Sequence, residues 1–190
     1  MRFLETGIVG AWLIDPCPRR DDRGHIMRAW CSSEFLEHGI CFIPVQANVV
    51  SSRLKGTIRG MHYWGSTTAE AKLIRCTRGA IFDVAIDLRP GSPTYGEWYG
   101  VVLTADNGRM MFVPGGCPHG CETLEKNTEM HLMASEYEAP EAPHGVRFDD
   151  PAFGIQWPVA VAMVSKQDRS WPLMPAEIVR KTETVTLADR

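Results

Sequence analysis

Nothing in this 190-residue sequence offers a bilayer-spanning segment, a CxxC pair, an internal repeat, a low-complexity tract or a strong excess of one charge. Each absence narrows the field. A formal charge of -3 gives no electrostatic case for binding nucleic acid or an anionic membrane, so any anionic ligand must be held by a few local cations. The apolar run Ile8 to Ile14 is too short to cross a bilayer. It follows the acidic Glu5 and lacks a small-residue cleavage site behind it, so it reads as a strand. The six cysteines, Cys17, Cys31, Cys41, Cys76, Cys117 and Cys121, form no compact framework and are expected to be free thiols in a reducing cytoplasm. Helical periodicity is also scarce. It suggests only Ser32 to His38, capped by a serine, and Pro175 to Arg180.

What is present is two-residue alternation with β-branched residues. It marks strands over Phe42 to Val50, Gly56 to Tyr63, Lys72 to Cys76, Ala80 to Asp87, Trp98 to Thr104, Arg109 to Val113 and Thr128 to Ser135. Turn residues separate them at Arg78-Gly79, Pro90-Gly91, Asn107-Gly108 and Pro114-Gly115-Gly116. Many short strands at this spacing predict one all-β domain over residues 1–190, an antiparallel sandwich or jelly roll.

Chemistry concentrates in four places. In Gly56 to Tyr63, strict alternation puts Arg59 and His62 on opposite faces, and a bulge at Gly60 would bring both to one cavity. Lys72 opens the next strand. A Gly-rich turn, Pro114 to Gly120, delivers His119, and a polar turn, Ser165 to Arg169, supplies Asp168. An imidazole takes up a proton near neutral pH, a carboxylate fixes its tautomer, a lysine stabilises developing negative charge, and arginines grip phosphates bidentately. His119 alone does not make a metal site: no first-half His-x-His precedes it, so no metal is expected. His25, His38, His131 and His144 lack supporting motifs and read as structural or surface groups. Trp98, Tyr99, Trp157 and Trp171 suit either a core or a stacked base.

From Asp22-Arg23-Gly24 to about Pro172 the chain resembles the dTDP-4-dehydrorhamnose 3,5-epimerase family. The resemblance rests on Gln46-Ala47-Asn48, RGMHY at Arg59 to Tyr63 and KLIRCTRGAIFDVAIDLRPGSPTYG from Lys72 to Gly96. It continues through the His119 turn, DDPAFGIQWP from Asp149 to Pro158 and SKQDRSWP from Ser165 to Pro172. It implies a double-stranded β-helix (a jelly-roll cupin) that forms a homodimer, with the N-terminal strand lending an edge to the partner, and uses no metal or organic cofactor. It also implies a nucleotide-sugar substrate, a 4-keto-6-deoxyhexose inverted at C3, C5 or both through an enolate. His62 matches the family base, Asp168 the carboxylate behind it and Lys72 the cation beside the enolate. Arg23, Gln46, Asn48, Arg59 and His119 match substrate-binding positions, and Asp83 a polar residue near the site.

The chain departs from that pattern on the reprotonation side. Leu132 stands where the family places a tyrosine proton donor, and His131 and Tyr137 are the nearby candidates to replace it. Arg28 and Pro143 stand where glutamates are common, and Gln167 replaces a lysine. Three readings follow: an epimerase that inverts one centre only, with water, Tyr137 or His131 returning the proton, a ketoisomerase working through the same enolate, or a non-catalytic nucleotide-sugar binder. The epimerase is favoured because His62, Lys72 and Asp168 would otherwise have little reason to coexist.

Overall fold

The computed structural model describes residues 1–64, 70–137 and 144–175. Its strands are β1 (Arg2–Glu5), β2 (Trp12–Asp15), β3 (Arg19–Asp21), β4 (Gly24–Ile26), β5 (Gln46–Ser52), β6 (Thr57–Tyr63) and β7 (Lys72–Arg78). They continue with β8 (Ala80–Ile86), β9 (Trp98–Thr104), β10 (Met110–Val113), β11 (His119–Thr123), β12 (Thr128–Ala134), β13 (His144–Gly145) and β14 (Met163–Val164). The helices are α1 (Ser32–Glu37) and α2 (Lys166–Ser170).

Two sheets face each other. One runs β1-β2-β10-β7-β12-β5 and the other β13-β6-β11-β8-β9, with β14 added beside β6 and β3-β4 forming a separate hairpin. All pairings are antiparallel except that of β14 with β6, so the expected all-β jelly roll is what forms.

Alternation sorts the side chains into layers. Ile74, Cys76, Ile81, Ala85, Met111, Cys121 and Met130 meet between the sheets in one buried cluster. Leu73, Met110 and Phe112 point the other way, against Phe35 of α1 and Phe42. Phe82, Val84 and Ile86 leave the second sheet on its far side and pack on Val146 and Phe153. A strand buried on both faces reads as an apolar run, which is why Ala80 to Ile86, broken only by the buried Asp83, stands out so clearly in the sequence.

Several expectations are corrected. The strand placed over Ile8 to Ile14 begins only at Trp12, because residues 8–10 form a turn around the fully buried Ile8. The strand placed from Phe42 starts at Gln46, and Phe42 is instead a core plug. The cap of α1 is Cys31 rather than a serine, and its side chain makes no capping bond. The segment around Asp168, read as a turn, is a short helix whose cap Ser165 accepts a hydrogen bond from the Asp168 amide at 3.0 Å. Strand β11 was not expected, because Pro, Gly and a buried Glu122 obscure its alternation. Of the expected C-terminal helix, residues 176–180 lie outside the described residues.

Candidate functional site

Register decides which side chains share the cavity. On β6 and β11, His62 lies opposite His119 and Arg59 opposite Cys121. Two residues, Gly60 and Met61, therefore face the single Gly120, and the extra residue reverses the parity of β6. Arg59 and His62 consequently lie on the inner face together, as a bulge at Gly60 required. Only glycine suits this crossing: Gly60 has φ +109, and a Cβ there would sit 2.6 Å from the His119 carbonyl oxygen.

His62 is backed by a carboxylate from the far end of the sequence. Its Nε2–H donates to Asp168 Oδ1 at 2.6 Å, which leaves Nδ1 with the free lone pair. Asp168 is 4 % exposed, and its other oxygen accepts from the Gly60 amide at 3.4 Å. Burial pushes this carboxyl up, but the His62 bond and charge, Ser165 and the Gly60 amide outweigh it and hold it below the ordinary aspartate value. Trp171 sets its ring edge-to-face with His62, centroids 6.3 Å apart, and packs so tightly on Gly145 that a Cβ there would meet its ring at 2.1 Å.

His119 forms a second, fully enclosed pair. Its Nε2–H donates to Asp83 Oδ1 at 2.8 Å, and the other oxygen of the buried Asp83 has no partner. Arg59 reaches across to β5, donating from Nε to Ser52 Oγ at 3.0 Å and from Nη2 to the Ser51 carbonyl at 2.9 Å. The facing sheet contributes Gln46 and Asn48 of β5, which pair with Ala134 and Leu132 and so share their inward parity. Lys72 has the same parity as the inward Ile74 and Cys76 of β7. Its ammonium lies 2.9 Å from Glu70 Oε2, a residue the sequence reading passed over although Glu-x-Lys at strand parity is a usable signal.

Not every expected site residue joins this group. Arg23 sits on the exposed β3-β4 hairpin and pairs with Asp21 at 2.7 Å. Arg28 pairs instead with Glu34 of α1. Of the two substitute proton donors, neither faces the cavity within this chain. The register of β12 against β5 is regular, so His131 points away from the inward Leu132, and Tyr137 lies beyond the strand with 73 % of its surface exposed. Pro143 lies outside the described residues. The aromatics mostly fill cores: Trp98 and Tyr99 are buried, and Trp157 donates to the Phe148 carbonyl oxygen at 2.8 Å while packing on Phe82.

The folded chain thus presents a histidine–aspartate pair on one sheet and an inward, buried lysine on the other. Residues 5–175 match the family profile described as dTDP-4-dehydrorhamnose 3,5-epimerase. This chain belongs to that family. It is accordingly an epimerase-type isomerase by family, with the cupin-type fold of its relatives. A dTDP-4-dehydrorhamnose 3,5-epimerase of Methanothermobacter thermautotrophicus is 39 % identical over 90 % of this chain and 92 % of its own. A dTDP-4-dehydrorhamnose 3-epimerase of Streptomyces niveus is 37 % identical over 89 % of this chain and 82 % of its own. Among solved structures, the 3,5-epimerase of Bacillus anthracis with TDP and PPi bound superposes with a TM-score of 0.87 at 38 % identity, covering 91 % of this chain and 99 % of that one.

Proposed function

We propose that this protein epimerises a dTDP-linked 4-keto-6-deoxyhexose at C3, C5 or both, with His62 as the base. The observation that carries the reading is the 2.6 Å His62–Asp168 bond on one sheet with Lys72 inward on the facing sheet. The C4 ketone acidifies the neighbouring C–H bonds. His62 takes such a proton through Nδ1, and the Asp168 carboxylate attracts the positive charge the ring then acquires. The C–H electron pair moves onto the ketone oxygen, where the Lys72 ammonium meets it in a water-poor cavity. Arg59 binds the diphosphate, with Gln46, Asn48 and His119 around the sugar.

The protein is proposed to act as a cytoplasmic homodimer of single-domain chains. Strand β1 is an outer strand of its sheet, and Ile26, Ile43, Val45 and Val49 are exposed apolar side chains in the same N-terminal third. Arg23, exposed on its hairpin, would then serve the partner's cavity. Among the described residues no helix is long and apolar enough to cross a membrane.

Deuterium exchange tests the reading. In D2O the enzyme should wash label into C3 or C5 of dTDP-4-keto-6-deoxyglucose and yield inverted product, and His62→Ala should lose both. A wild-type protein that shifts its melting temperature with dTDP but washes in no label is a binder, and a 3-keto product identifies a ketoisomerase. Arg23→Ala mixed with His62→Ala should recover activity if Arg23 works across the dimer.

A further inference from the structure

Inversion needs a proton delivered from the side of the sugar opposite the base, and the described residues narrow its source. His119 cannot serve, because it lies directly opposite His62 on the neighbouring strand of the same sheet and so presents to the same side of the ring. On the facing sheet the inward positions Val50, Ile74, Met130 and Leu132 are aliphatic or thioether groups with no proton to give, and the Cys76 thiol is fully buried and turned onto the backbone carbonyls of Arg78, Gly79 and Glu129.

The ionisable pair on that wall is Lys72 with Glu70. Ala71 donates to Ser135 Oγ at 2.9 Å, and the Ser135 amide donates to the Ala71 carbonyl oxygen at 3.0 Å. The β7–β12 ladder thus extends one step past Lys72, and Glu70 falls at its inward parity. Both side chains are enclosed, 10 % exposed for Lys72 and 4 % for Glu70, with Nζ and Oε2 2.9 Å apart. The contact is close but poorly aligned: Glu70 Oε2 receives no directed hydrogen bond. A buried carboxylate this near cancels much of the charge that a purely electrostatic lysine would offer an enolate, and burying the two ions is costly. A proton-handling role accounts for both.

We propose that the Lys72–Glu70 pair is the acid of this enzyme, with Glu70 as a positioning residue that acts through Lys72. The inference rests on the epimerase reading above. The ammonium carries three N–H donors. The contact with Glu70 needs at most one of them, which leaves two for the ketone oxygen and the enolate carbon. As the enolate electrons return to form a C–H bond, Lys72 gives up one proton from the face opposite His62 and becomes an amine, and the C4 ketone is restored. The carboxylate of Glu70 then draws a replacement proton from solvent onto the amine, and the His62 imidazolium releases its own to solvent. The sugar leaves as an epimer with every proton accounted for.

The test separates deprotonation from inversion. With dTDP-4-keto-6-deoxyglucose in D2O, Glu70→Gln should keep label wash-in with retained configuration, since His62 can return a deuteron to the same face. The ratio of inverted product to retained, labelled substrate should fall at least tenfold, with KM changed less than threefold. Glu70→Asp, which keeps the carboxylate, should recover much of the ratio and covers the case in which the amide variant folds poorly. Wash-in and inversion falling in the same proportion, or an unchanged ratio in Glu70→Gln, overturns the proposal while leaving the epimerase reading intact. A wild-type enzyme with no wash-in defeats both.

Discussion

Replacing Asp168 by Asn isolates the contribution of the carboxylate behind His62. The change keeps the size of the side chain and leaves the backbone bond to Ser165 in place, so α2 should remain capped. It removes the negative charge facing Nε2 at 2.6 Å. A hydrogen bond to a charged group contributes about 1.5–3 kcal/mol, and about 1.4 kcal/mol corresponds to tenfold in rate. Loss of that bond alone therefore predicts a fall in kcat of roughly 10- to 150-fold. The amide can also donate to Nε2 and drive the proton onto Nδ1, which removes the base altogether. An equivalent tautomer error costs about 10⁴ in serine hydrolases. The expected fall is thus between about 10 and 10⁴, the lower end from loss of the bond alone and the upper from the tautomer error, read as deuterium wash-in under single-turnover conditions, with dTDP affinity nearly unchanged. Stability supplies an independent check. A carboxyl held below its ordinary value stabilises the fold above the unfolded-state value, and that contribution is lost as pH falls through the folded one. The melting-temperature gap between parent and variant should therefore be full at neutral pH and close in acid. A folded Asp168→Asn protein whose wash-in stays within threefold of the parent would refute the assignment of this pair as the base.

Three further outcomes follow from other parts of the molecule. In the Glu70→Gln background, Leu132→Tyr places a phenol on the same inward face and should raise the inversion ratio at least tenfold; no gain there means the cavity does not bring C3 or C5 near position 132. Glu122 is fully buried with Oε1 unpartnered, and burial pushes its carboxyl above the ordinary glutamate value against the opposing Val159 amide. A raised carboxyl costs stability as pH rises between the unfolded and folded values, so Glu122→Gln should melt higher at pH 8 and show no advantage below the ordinary carboxylate range. A thiol reagent should modify Cys17, Cys41 and Cys31 in the native protein, whereas Cys76, Cys117 and Cys121 should react only after unfolding. Burial pushes Cys76 up to about 11 and Cys117 up to about 12, while the Ser33 hydroxyl holds Cys31 below the ordinary thiol value. Rapid labelling of Cys117 would show that the loop carrying Pro114 to Cys117 opens.

Sequence pattern was enough where burial is one-sided or complete. Trp98–Thr104 is found at its expected bounds, and Ala80–Ile86 within a residue of them, because their apolar content follows directly from the sheet faces they cover. It failed at β11, where Gly120 is small for a reason external to its own strand: a Cβ there would meet Met61 Sδ at 2.6 Å. It failed also at Asp168, whose helix is five residues long and has too little periodicity to read.

The order of the residues by itself determined the all-β class, through local alternation, and the family, through motifs that survive without coordinates. The resemblance implied that Asp168 stands behind His62, and the folded chain joins the two by a 2.6 Å bond. Only the folded chain decided which face each group presents. One extra residue at Gly60 turns Arg59 inward beside His62, a regular β12 keeps His131 outside, and a ladder one step longer than its strand carries Glu70 in beside Lys72. Side-chain direction in a sheet reverses with every residue, so a single bulge or extension changes the occupants of the cavity, and only hydrogen-bond register between distant strands records where that happens.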